Sequence, residues 1–212
     1  MSSPRLVIFD CDGVLVDSEP SANRVFAAAL NELGLDLDPD EVCATFIGLS
    51  MSRCVEIIEQ RLGRPVPSGF VADVRARTLE AFRDELRPVP GVVEVIRALD
   101  RPYCVASSGE LEKMRFTLGR TGLLASFEGR MFSASQVPRG KPSPDLFLFA
   151  AREMSVAPEA CIVVEDSVPG VLAARAADMP ALGFAARSDP ERLARAGARV
   201  FQKMSELPVL LG

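Results

Sequence analysis

The 212-residue chain contains no histidine. That absence removes Ser-His-Asp and Cys-His catalysis, HExxH zinc sites and phosphohistidine chemistry together. Acid–base work must fall to Asp, Glu, Lys, Tyr or Cys, and only one tyrosine is present. Cysteine is scarce: Cys11, Cys43, Cys54, Cys104 and Cys161 are an odd number with no CxxC, which argues against a disulfide frame or a zinc knuckle. The Arg that Cys-dependent phosphatases need six places after their Cys is missing, because those places hold Asp17, Leu49, Gln60, Glu110 and Ser167. There is no GxxxxGK[ST] loop and no GxGxxG after a strand. No apolar run approaches the roughly 18 residues of a membrane span. Lys/Arg clusters do not exceed a pair and the net charge is −5, so neither nucleic acid nor membrane is expected as a partner. The start, "MSSPRLVIF", enters a strand at once and carries no cleavable signal pattern. The expectation is a soluble cytoplasmic protein, a monomer or weak dimer.

Hydrophobic residues make up 48% of the chain, enough for one core with a small second unit. Short apolar runs at 5–9, 103–107, 130–134, 161–165, 180–184 and 198–201 read as strands buried on both faces, as in a parallel sheet. Helical patterns at 91–99, 110–121, 144–155, 168–177, 190–196 and 204–211 alternate with them, and Pro144, Pro169 and Pro190 stand where helices commonly start. This β-α rhythm predicts an α/β fold with a doubly wound, mainly parallel sheet and a Rossmann-like core. Residues 18–86 break it: "NRVFAAALNELGL", "SRCVEIIEQRLG" and "FVADVRARTLEAFRDEL" have helical spacing and none reads as a strand. The expected organisation is an α/β catalytic core from 1–17 and 87–212, with 18–86 inserted as a helical cap domain.

In open parallel sheets ligands gather beyond the carboxyl ends of the strands. Here strand one runs "LVIF" into Asp10-Cys11-Asp12-Gly13, strand two ends in Ser107-Ser108-Gly109, "RGKPSP" with Lys141 follows strand three, and strand four ends in Glu165-Asp166-Ser167. Carboxylates, hydroxyls and one ammonium on one edge suit phosphoryl transfer through an aspartate, which splits one hard displacement into two easier ones. Two anions repel, so Mg²⁺ is expected as cofactor, held by oxygen ligands. The expected metal ligands are Asp10, Asp166, Asp12 through its backbone oxygen, and Glu165 as a further ligand or a support. Asp10 and Asp12 are the expected catalytic pair. Ser107, Ser108 and Lys141 are expected to hold the non-reacting phosphoryl oxygens. Cys11, between two acids, is read as a packing residue, and Asp17 as a hinge or local cap.

"DCDGVLVD", Ser107 in "VASSG", Lys141 in "GKPSPDLF" and "VVEDSVPGV" resemble, in order, the four motifs of the haloacid dehalogenase-like hydrolase superfamily. "FDCDGVLVDSE", "GKPSPD" and "EDSVPG" are similar to its β-phosphoglucomutase-like and phosphoglycolate phosphatase-like members, which carry a helical cap after strand one. The resemblance implies Mg²⁺, an aspartyl-phosphate intermediate, Asp10 as nucleophile and Asp12 as general acid and base. It also implies that "FIGLSMSR" (46–53) is the cap loop facing the site, with Gly48, Ser50 and Arg53 as candidate substrate contacts. Two departures bear on the reaction. The place of the mutase histidine is Ala22, and the place of the mutase arginine is Met51. The expected function is therefore hydrolysis of small phosphorylated metabolites, sugar or sugar-acid phosphates. A phosphosugar mutase and a non-catalytic phospho-ligand-binding regulator are the alternatives.

Overall fold

The computed structural model describes residues 4–46 and 51–212. In chain order the elements are β1 (Leu6–Phe9), α1 (Glu19–Glu32), α2 (Pro39–Phe46), α3 (Met51–Leu62), α4 (Phe70–Glu85), α5 (Val92–Ala98), β2 (Tyr103–Ser107) and α6 (Leu111–Arg120). They continue with α7 (Leu124–Phe127), β3 (Met131–Ser133), α8 (Asp145–Glu153), β4 (Cys161–Glu165), α9 (Val168–Ala176), β5 (Ala181–Phe184), α10 (Pro190–Ala196), β6 (Arg199–Phe201) and α11 (Leu207–Leu211). All six expected strands are present, in one sheet of order β3-β2-β1-β4-β5-β6, every pair parallel. The expected helices form within a residue or two, except that the last begins as a 3₁₀ turn over Met204–Glu206. The short α7 was not expected, since four residues are too few to show a period.

The chain divides into two compact units, 1–17 with 87–212 and 18–86. In the first, β1 is buried along its whole length because both faces are covered. Leu6 and Ile8 join Cys104, Ala106, Cys161 and Val163 against Leu146, Phe147 and Ala150 of α8 and Val171 and Ala174 of α9. Phe9 makes edge contacts with the rings of Tyr103 and Phe127. Burying a side chain such as Phe9 is worth about 1.5–3 kcal/mol. Helix ends follow local chemistry: Asp189 accepts from the N–H groups of Glu191 and Arg192 to start α10, and Pro190 supplies its first turn.

The second unit holds α1 to α4 around Phe26, Leu30, Val42, Phe46, Ile58, Phe70 and Val74, with Phe26 and Phe46 5.2 Å apart between ring centres. Among the described residues no helix is long and apolar enough to cross a membrane.

In the sheet order the chain runs from β1 outward to β3, then returns to the other side of β1 as β4. The reversal between β1 and β4 leaves a crevice beyond their carboxyl ends, where an open α/β sheet binds its ligands.

Candidate active site

Asp10 sits at that reversal. Its N–H donates to Val164 O at 2.9 Å, one residue past the end of β1. The chain then folds back on itself, with Cys11 O accepting from the N–H groups of Leu15 and Val16. Gly13 allows this turn through φ +84°, a left-handed value that other residues resist. It is also a close approach: a Cβ at Gly13 would lie 2.1 Å from Asp166 Oδ2. The bare glycine thus lets the carboxylate after β4 reach the turn after β1.

Lys141 joins the strand ends. Its side chain is 4% exposed, and Nζ donates to Asp10 Oδ1 at 2.5 Å, Glu165 Oε1 at 2.6 Å and Ala106 O at 3.2 Å. Nζ also lies 5.0 Å from the centre of the Phe147 ring. Burial opposes the ammonium, but Asp10 and Glu165 outweigh it and hold its pKa above the ordinary lysine value. For Asp10 the balance differs. Burial raises its pKa to about 7, Lys141 pulls against that rise, and Glu165 and Asp12 add to it. Glu165 Oε2 accepts from both N–H and Oγ of Ser167, at 2.7 and 2.8 Å. Ser167 Oγ in turn caps α9 by accepting from Gly170 N–H. Gly170 makes room for this: a Cβ there would fall 1.8 Å from Glu165 Oε1. Glu165, expected as a further metal ligand or a support, thus accepts from Lys141 and Ser167.

Ser107 ends β2 and is 2% exposed. Its Oγ accepts from Gly109 N–H at 3.0 Å, and Gly109 O accepts from Ser133 Oγ at 2.7 Å, so the loop is tied to β3. Ser108 between them is exposed. Cys11 is 1% exposed, and burial first, then Asp12 and Asp10, push its thiol pKa well up, which keeps it an unreactive packing group. Asp17 receives two hydrogen bonds from Arg187, both 2.8 Å.

One residue was not foreseen. Lys113 in α6 donates to Asp12 Oδ2 at 2.7 Å across 101 positions of sequence. The signal available was faint: a lysine in the helix that follows the Ser107 loop, where its neighbours Glu110 and Glu112 suggest an ordinary solvated face. Of the expected cap contacts, Arg53 lies on α3, half exposed, and pairs with Glu56 at 2.5 Å. Gly48 and Ser50 lie outside the described residues.

Residues 4–178 match the model of the haloacid dehalogenase-like hydrolases. The chain belongs to that family. The haloacid dehalogenase-like hydrolases expected from the four motifs are thus the ones found, over a span that takes in every strand-end residue described above. Among relatives, a 6-phosphogluconate phosphatase of Escherichia coli (strain K12) is 34% identical over 211 residues, covering 99% of this chain and 96% of that protein. Hexitol phosphatase B of the same strain is 32% identical over 188 residues, 84% of each chain. A solved haloacid dehalogenase-like hydrolase from Deinococcus radiodurans R1, with bound phosphate and sodium, superposes with a TM-score of 0.88 at 32% identity, covering 100% of this chain and 96% of that one.

Proposed function

We propose that the protein is a Mg²⁺-dependent phosphatase that hydrolyses small phosphorylated metabolites, sugar or sugar-acid phosphates, through an aspartyl-phosphate on Asp10. The observation that carries this reading is the buried Lys141 ammonium, held between Asp10 and Glu165 at the carboxyl edge of the sheet. Burying three ionised groups costs stability unless they are closely paired, and such clusters concentrate where chemistry needs them. The phosphatase names of the two relatives support the same reading.

Asp10 attacks phosphorus, forming an aspartyl O–P bond as the bond from phosphorus to the sugar oxygen breaks. Asp12 gives its proton to that leaving oxygen. Water then attacks phosphorus, Asp12 takes its proton, and the aspartyl bond breaks to return Asp10. Lys141 and the Ser107 hydroxyl hold the non-bridging oxygens and offset their growing charge. We assign Glu165 to holding Lys141, since its oxygens already accept from Lys141 and Ser167.

The donor set suits a hard cation. Among the described residues no three His, Cys, Asp or Glu side chains form a metal cage by themselves. Mg²⁺ does not require one, because it takes one or two carboxylates and keeps several waters. Asp10, Asp166 and the main-chain oxygen of Asp12 would hold it, beside Gly13, whose missing Cβ leaves room for the Asp166 carboxylate. When bound, it supplies charge neutralisation between these carboxylates and the phosphate dianion. Residues 18–86 serve in this reading as the cap that selects the substrate, with Gly48, Ser50 and Arg53 as its candidate contacts.

The test is phosphate release from a panel of phosphorylated sugars, sugar acids, polyols and nucleotides with Mg²⁺. Release from sugar or sugar-acid phosphates that stops on chelation and returns with Mg²⁺ is expected. No release from any compound would overturn the reading, and so would fast isomerisation of glucose 1-phosphate in the presence of the matching bisphosphate.

A further inference from the structure

Lys113 is placed against the preference of its own helix. It is the third residue of α6, in the first turn, where the helix dipole favours carboxylates and disfavours cations. Its side chain is 38% exposed, so a route to water is open. Nζ instead turns to Asp12 Oδ2 at 2.7 Å, onto a carboxylate that is itself 31% exposed. A lysine that breaks a local rule in this way points to what its partner gains.

The surroundings fix this contact from two sides. A Cβ at Gly109 would lie 3.5 Å from Lys113 Cδ, 3.4 Å from Ser107 Oγ and 4.0 Å from Asp12 Oδ2. Gly109 thus lies beside the lysine stem and both site residues at once, and it is itself held by Ser107 and Ser133. One turn further along α6, Thr117 is 1% exposed, donates to Lys113 O at 3.1 Å and lies 3.9 Å from Cys11 Sγ. Two successive turns of α6 thus meet the Cys11–Asp12 segment, Lys113 on Asp12 and Thr117 on Cys11. Burial works against the charge on Lys113, but Asp12 outweighs it, and the ammonium stays protonated.

We propose that Lys113 is a positioning residue for Asp12: it holds Oδ2, so that the carboxyl presents one orientation to the leaving oxygen and then to water. This inference rests on the phosphatase reading. Lys113 keeps its own protons throughout. Asp12 loses its proton as the bond from phosphorus to the sugar oxygen breaks, and regains one from the attacking water. Without Lys113 the side chain of Asp12 would lose the bond on Oδ2 that sets this orientation, and fewer encounters would find the acid in place.

The leaving group separates this role from a structural one. A sugar alkoxide needs a proton as it departs, whereas p-nitrophenolate leaves without one. kcat/KM covers the steps up to the first phosphoryl transfer, so it reports the acid and not the later hydrolysis. Lys113→Met should lower kcat/KM about 10²-fold on the best sugar or sugar-acid phosphate of the panel but at most about 10-fold on p-nitrophenyl phosphate, in line with the worth of a placed general acid. Lys113→Arg should recover most of the loss on the former. If the Met variant fails to fold by circular dichroism, Lys113→Gln takes its place in the same comparison. Equal losses on the two substrates, or no loss on either, with an active wild type, would overturn the role of Lys113 alone. A wild type that releases phosphate from no compound of the panel and none from p-nitrophenyl phosphate would overturn the phosphatase reading, and this inference with it.

Discussion

The two compact units differ in one use of charge: both carry ion pairs at the surface, and the α/β unit also buries a cluster of them. In the helical unit the ion pairs lie at the surface. Arg24 meets Glu85 and Arg77 meets Glu32, and all four side chains are at least 41% exposed. In the α/β unit Lys141, Asp10 and Glu165 are 4%, 10% and 1% exposed, and they meet at the end of a fully buried strand. Exposed pairs contribute little, because water and salt already satisfy each charge. Buried charges depend on one another, because each has given up its water. The contrast separates exposed pairs that each charge can leave from a buried cluster at the edge of the sheet whose members depend on one another.

The largest effect that could break this comparison is on turnover. Asp10→Asn keeps the shape of the side chain and removes the proposed nucleophile. Steady-state phosphate release should fall on the order of 10³-fold or more, with the circular dichroism spectrum unchanged. A variant keeping more than about a tenth of the wild-type rate would remove Asp10 from the covalent role.

Lys141→Met should cost stability as well as activity. It leaves Asp10 and Glu165 buried with no cation between them. Breaking a buried pair from one side costs about 3–5 kcal/mol, to be read from urea unfolding. An unchanged urea midpoint would mean that the carboxylates do not depend on the lysine.

Gly170→Ala should come next. The added Cβ would fall 1.8 Å from Glu165 Oε1, in a helix whose start is fixed by Ser167. Overpacking of this kind costs about 1–3 kcal/mol. Because Glu165 must shift, activity should fall along with stability. A fully active Gly170→Ala variant would show that Glu165 is not needed to hold Lys141.

The smallest effect is expected in the helical unit. Arg77 pairs with both Glu32 and Asp73 at the surface. Arg77→Ala should leave the urea midpoint within error and phosphate release unchanged. A clear loss of stability would contradict the division drawn between the units.

The strands could be read from the sequence because burial on both faces leaves continuous apolar runs such as "LVIF" and "CIVVE". The strand-end residues followed from the same pattern, since a polar residue directly after such a run must lie at the edge of the sheet. What was not legible depends on contacts between distant residues. Lys113 finds Asp12 across 101 positions, and nothing near either residue marks the pair. Glu165 stands beside Asp166, and nothing in the sequence near it shows that its oxygens accept from Ser167 and Lys141. Gly170 reads as an ordinary residue after a helix-starting proline until the carboxylate packed against it is seen. The four-residue α7 is shorter than any helical period that a sequence could display.

The central claim is that Asp10 carries the phosphoryl group. The most direct measurement mixes enzyme and Mg²⁺ with the best sugar or sugar-acid phosphate of the panel bearing a radiolabelled phosphate, quenches in acid within milliseconds, and maps the label on peptides. The account predicts an acid-stable, hydroxylamine-labile label on the peptide containing Asp10, absent from Asp10→Asn. Rapid phosphate release by wild-type enzyme with no protein-bound label at any quench time, or with the label on another residue, would contradict it.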